Sequence, residues 1–300
     1  MIEAFLSAWA LFRDALLVAV LLGCLLPLCG IVLLLRQQVF LTAAVGQAAT
    51  LGIALGISLG MPVGAASGSH EETATLLLAV AAGAVTTVVA MRALSRGGPQ
   101  FEATSAWLFL LGSSLSVLLA ARLPHGLEEV RRLTLSSLLG ASPEDVVIAA
   151  AALAATALGV VLLRARILMW ATDPVTAQVH GDSPLAFDLA VGGWIGACIG
   201  FAIHATGLLF AFGATVLPVL IARELCSSQR AVWICAPLVG GAGTLVALFV
   251  AHQESVDLPP GQTAVALQCA LVALARLWRW QATVRGRKPA RPLVPPRAHA

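Results

Sequence analysis

Apolar runs of roughly bilayer length alternate with short polar breaks along almost the whole chain. Nine runs stand out, at roughly 15–35, 41–60, 73–92, 103–121, 144–163, 187–204, 207–222, 231–251 and 261–280. Each is close to the about 20 residues that a helix needs to cross the hydrocarbon core. The sixth and seventh meet at His204-Ala-Thr-Gly207 with almost no loop. They are either two spans or one long bent element, so the count is nine or eight. The pattern predicts an all-α, polytopic membrane protein with one transmembrane domain over residues 1–284.

The second run, LTAAVGQAATLGIALGISLG, repays a closer look. Read at a spacing of four, it presents Ala44, Ala48, Gly52, Gly56 and Gly60 on one face. A stripe of such small side chains lets a second helix approach closely inside a membrane. Beside it runs Ala43, Gln47, Thr50, Ala54 and Ser58. Gln47 places an amide deep in an apolar span, which is costly unless the amide is partnered or wetted. This helix therefore reads as a packing spine with one wall facing something polar. The sixth run repeats the small-residue device with Gly192, Gly196 and Gly200.

Composition sharpens the class. Of 300 residues, 59% are hydrophobic and only 11% charged, and mean hydropathy is +0.92. Soluble domains carry about 25% charged residues, which leaves little room for one here. Lys288 is the only lysine, so the chain has no G-x-x-x-x-G-K-[ST] loop and is not itself a P-loop ATPase. The six cysteines form no C-x-x-C and read as small apolar residues. The first residues have no basic leader and no cleavage signature, and are expected to be an interfacial start to the first span. Residues 285–300, basic and rich in proline, are expected to be a disordered cytoplasmic tail lying on anionic membrane lipid. Nothing in the pattern calls for a nucleic-acid partner.

Basic residues set an orientation. With the N-terminus outside, the inner face receives Arg36, Arg92, Arg96, Arg164, Arg166, Arg223, Arg230 and all basic residues from Arg276 onward. The outer face keeps Arg13, Arg122, Arg131 and Arg132. The positive-inside rule then places the N-terminus outside and the C-terminus inside.

Several polar stretches are candidates for chemistry. The inner loop at about 172–182, TDPVTAQVHGD, has the signals of a two-turn helix. Asp173 suits the cap, Pro174 the first helical position and Gly181 the left-handed exit. Gln178 lies within it. A short rigid knob of this kind offers a grip for a partner protein. Ser142 and Asp145, either side of Pro143, have the spacing of a capping box at the start of the fifth span. Pro218 near the end of the seventh run removes a helical hydrogen bond and marks a hinge candidate. His70, His125, His204 and His252 all fall on the outer side, three of them beside carboxylates, a ligand set that suits divalent zinc, manganese or iron. None has a tight metal-binding spacing.

Taken together, these stretches resemble the permease subunits of metal-ion ABC transporters, the zinc/manganese/iron uptake family. The similarity rests on TGLLFAFGATVLPVLIAREL, TDPVTAQVHGDSP, GQAATLGIALG, LLGASPED and VDLPPGQTAVALQCALVAL, and covers most of residues 15–280. The resemblance implies a multi-pass subunit of the plasma (inner) membrane that pairs with a second permease chain, as a homodimer or a heterodimer. A separate ABC ATPase subunit would bind the ATP and dock on the coupling segment, so that this chain carries no cofactor of its own. An extracytoplasmic metal-binding protein would deliver the cargo. One departure bears on that cargo. Family members commonly carry an Asp and a His one turn apart on the second span, and the matching residues here are Ala43 and Gln47. Three explanations stay open: ligands from elsewhere, such as His204; ligands from a partner permease; or a cargo that needs no direct coordination, such as a chelate. An intramembrane enzyme is the rival from another class, but Ser113, Ser114 and Ser116 have no histidine at mid-span beside them.

Overall fold

Two sharp turns, at Gln37 and Gly207, show how the chain divides its apolar sequence into separate helices. The computed structural model describes residues 2–59, 69–94, 98–120, 141–172, 176, 183–251 and 259–284. Its long helices are α1 (Ile2–Leu35), α2 (Val39–Ser58), α3 (Ser69–Leu94), α4 (Gly98–Ala120) and α5 (Pro143–Thr172). They continue with α6, a run of Pro184–Phe187, a π-helical turn Asp188–Gly192 and Gly193–Thr206. Then come α7 (Leu208–Leu225), α8 (Gln229–Ala251) and α9 (Pro260–Val284). No strand occurs among the described residues. Eight of these helices are long and apolar enough to cross a membrane, and α4 offers a shorter apolar stretch, Thr104–Leu119.

The expected runs are all present, with informative differences at their ends. α1 is helical from Ile2, so the interfacial start and the first span are one element. α5 runs on to Thr172, past the expected end at 163. The added stretch, Arg164-Ala-Arg-Ile-Leu-Met, consists largely of strong helix formers whose arginines can snorkel to the interface. The sixth and seventh runs are two helices, not one bent element. They are joined at Gly207, whose φ of 86° and ψ of 163° suit only a residue without Cβ. α1 ends differently. Gln37, at φ 59°, takes the left-handed position past the helix end. Gln38 N–H donates to Leu33 O at 2.8 Å and Gln37 N–H to Leu34 O at 3.1 Å, the paired bonds of a Schellman cap.

The helices sort into two packed groups. α2 packs along α3 and α4, and α3 along α6; α1 packs along α7 and α8, with α9 against α7 and α8. α1 is the most enclosed span, with 72% of its apolar window buried, whereas α5 leans on α1 with only 11% of its window buried. Val161, Leu162 and Leu158 of α5 face outward, as suits a surface met by lipid or by another membrane chain.

Both small-residue stripes end on α3. A Cβ on Gly52 would lie 2.5 Å from Leu78 O, and one on Gly200 2.7 Å from Ala79 O. Gly56 meets Thr75, Gly192 meets Met91, and Gly196 meets the backbone of Gly83. α3 is thus held between α2 and α6 at backbone contact, the approach that small residues permit. Several hydroxyls in the spans are satisfied within their own helices. Thr50, Thr87, Thr156, Thr206 and Thr215 each donate to the carbonyl four residues back, at 2.7–2.9 Å. All six cysteines are free thiols.

Candidate functional site

On α2, the polar line lies at the seam of three elements. Ala43 and Gln47 are half-buried, and Thr50 is buried with its hydroxyl on Gly46 O at 2.9 Å. α4 approaches so closely that a Cβ on Gly112 would sit 3.1 Å from Gln47 O. From the other side, Ile203 and Leu208, which flank the α6–α7 joint, pack at Gly46. The structure therefore brings the joint that carries His204 to the level of α2 where Gln47 stands. Ala48, Gly52 and Gly56 face α3 and α4, away from that joint, and are buried. Gly60 lies outside the described residues.

His204 stands one turn or less before the joint. Both of its ring nitrogens are buried and neither makes a hydrogen bond among the described residues. The Asp145 carboxylate acts on it electrostatically. Asp145 also closes the expected capping box: it accepts from Ser142 N–H at 2.9 Å and Ser142 Oγ at 3.1 Å. Sequence reasoning saw only this structural half of Asp145. Gln38 and Thr42, one turn apart at the start of α2, were not singled out at all. The Gln38 amide and the Thr42 hydroxyl are buried and make no hydrogen bond among the described residues, a rare state for native polar groups.

No group of three or more His, Cys, Asp or Glu that could hold a metal ion occurs among the described residues. His70 opens α3, and nothing of its side chain is described. His125, His252, Asp173, Pro174, Gln178 and Gly181 fall outside the described residues. Pro218 is buried inside a continuous α7.

The densest polar contact was not foreseen. Arg36, just past the end of α1, pairs with Asp188 at 3.3 Å, their side chains 5% and 4% exposed. The guanidinium carbon lies 4.0 Å from the centre of the Trp170 ring. Trp170 in turn stacks on Phe187, with centroids 6.0 Å apart. Met91 Sδ is 4.0 Å from the same guanidinium nitrogen. Burial pulls the Arg36 pKa below its ordinary value and the Asp188 carboxylate pulls it back up. A guanidinium starts so high that it stays charged. A lone Arg36 and a lone Asp188, 152 positions apart in sequence, carry no local signal of this pairing.

The described residues define a polytopic, helical membrane protein with polar groups held in seams between closely packed helices. A family model places it further: the ABC 3 transport family matches residues 8–279. The chain belongs to that family, and is a multi-pass permease of the plasma membrane, a transport subunit. Two solved structures share the fold. One, described as PsaBC from Streptococcus pneumoniae in complex with Fab, has a TM-score of 0.71 at 16% identity, covering 92% of this chain and 95% of that one. Another, described as an inward-facing conformation of a metal-chelate type ABC transporter, has a TM-score of 0.70 at 17% identity, covering 89% and 85%. No curated protein matches the chain.

Proposed function

We propose that this chain is the permease of an ATP-driven importer for divalent metal ions such as zinc, manganese or iron. The observation that carries the reading is the family match across residues 8–279. In this reading a separate ABC ATPase binds the ATP and docks at Asp173 to Gly181. An extracytoplasmic metal-binding protein delivers cargo, and a second permease chain completes the path. The N-terminus lies outside and the C-terminus inside, as the distribution of arginines requires. The path runs past Gln47 and the α6–α7 joint. Support comes from His204, whose ring nitrogens are buried and without a hydrogen bond among the described residues, at the joint that packs against α2 at the level of Gln47. Neutral imidazole is a good ligand for a passing borderline metal.

A second reading, import of a metal chelate, is favoured by one observation. Ala43 offers no donor and Gln47 only a neutral one, so a chelate that keeps its own ligands would suit this wall. Elemental analysis of cells with and without the gene, across zinc, manganese, iron and cobalt, tests both. Accumulation of free zinc, manganese or iron that depends on the gene supports direct import. Accumulation only when a chelator is supplied supports the second reading. No change in any metal sinks both.

A further inference from the structure

The Arg36–Asp188 pair occupies a particular place in the chain. Trp170 lies in the last turn of α5, just before residues 173–182, and Phe187 and Asp188 lie in α6, just after them. Both roots of that segment therefore grip one guanidinium, which belongs to the end of α1. The contact also crosses the division of the fold. α1 belongs to one packed group and α6 to the other, and elsewhere they touch only sparingly.

One turn toward the membrane centre the arrangement reverses. Val32 and Ile167, about one turn before Arg36 and Trp170, and Val191, about one turn after Asp188, line an apolar hollow of about 320 Å³ between α1, α5 and α6. Across it, α5 and α6 are bridged by the Trp194 Nε1–H to Thr156 Oγ1 bond at 2.9 Å. Above the pair, then, α6 is parted from α5 by the hollow except at that bond and touches α1 only sparingly; at the pair all three helices are pinned. α5 already packs along α1, so a push on the α6 root of the segment would be absorbed by the hollow if nothing tied that root to α1. An ion pair is an expensive tie. Its desolvation penalty can exceed its Coulombic gain, and apolar packing would hold three helices as firmly at less cost. What charge adds is direction: a planar guanidinium holds its carboxylate and its aromatic face in fixed geometry.

We propose that Arg36, Asp188 and Trp170 form the joint that carries displacement of the 173–182 segment into α1, coupling the ATPase stroke to both packed groups of the permease. These are positioning residues, and the inference rests on the importer reading above. The test uses the full complex of permease, ATPase and binding protein in proteoliposomes. Uptake of radiolabelled manganese(II) or zinc(II) and release of phosphate are measured on the same sample. The readout is ions taken up per ATP hydrolysed, which loss of folded protein would leave unchanged. Two variants avoid stranding a buried charge: Arg36→Met/Asp188→Leu, which removes both charges, and Trp170→Leu, which leaves the pair balanced. The double variant is expected to lower the ratio about tenfold, and Trp170→Leu about threefold, since the cation–π contact is the weaker part of the joint. ATP hydrolysis should persist in both. A wild-type ratio in either variant overturns the joint and makes the contact purely structural. If the wild-type complex itself shows no ATP-driven uptake of either ion, the importer reading for those ions fails first, a distinguishable result.

Discussion

Gln37 does a glycine's job. It holds φ 59° at the exit of α1, where a side chain with Cβ costs about 1–2 kcal/mol. Gln37→Gly should relieve that strain, less the entropy glycine loses on folding, a net gain of about 0.5–1 kcal/mol. Thermal unfolding of the purified protein checks it; a lower midpoint would show that the Gln37 side chain makes a contact worth more than the strain. Gln47 is the other residue to test. It is half-buried at the seam of α2, α4 and the α6–α7 joint. Gln47→Ala should reduce uptake about tenfold or more while shifting stability by less than about 1 kcal/mol, because a half-buried amide contributes little to folding. Unchanged uptake would remove Gln47 from the path. At this scale the sequence spoke unevenly. An amide inside an apolar run announces itself, whereas a left-handed glutamine and a distant ion pair do not. Backbone angle and tertiary contact leave no mark on composition.

Among elements, the small-residue stripes say most. Their spacing of four was readable on α2 and α6, and with it the prediction of close packing. That both stripes close on the same helix was not readable. A stripe tells how near a neighbour can come, not which neighbour it is. The partner, α3, contributes Leu78 and Ala79 carbonyls as well as Gly83, and every residue has a carbonyl. Gly52→Leu forces a side chain into the Leu78 backbone, an overpacking that costs about 1–3 kcal/mol or more. Expected outcomes are a lowered thermal midpoint and lost uptake. A stable, active Gly52→Leu variant would contradict the α2–α3 approach described here. The division at Gly207 belongs to the same scale. Glycine between two apolar runs allowed a bend or a break, and the observed φ of 86° with ψ of 163° makes it a break.

At the level of the whole molecule, the permease reading makes two predictions. Asp173→Ala removes the capping residue that the sequence pattern assigns to the proposed coupling segment, and a helix cap contributes about 1 kcal/mol. The variant should insert normally, hydrolyse ATP with its ATPase partner, and lose most uptake. Normal uptake per ATP would take the coupling role away from this segment. The orientation is tested separately. A cysteine at Ala300, in an otherwise cysteine-free variant, should react with a membrane-impermeant maleimide only after cells are opened. Labelling of intact cells would reverse the topology.

The chain by itself determined its solvent, its helices and its family. Apolar runs of membrane length leave a backbone no choice but to bond within itself, so the spans follow from local pattern alone. Motif order along residues 15–280 was enough for the resemblance that the family match bears out. Only the tertiary structure decided which helices pair, that α3 is shared by two stripes, and that Arg36 meets Asp188 beneath an apolar hollow. The reason is physical. Hydrophobic burial sorts water from lipid but does not distinguish one apolar helix from another inside a membrane. Partner choice there depends on shape and on a few polar groups, and both exist only once the helices have come together.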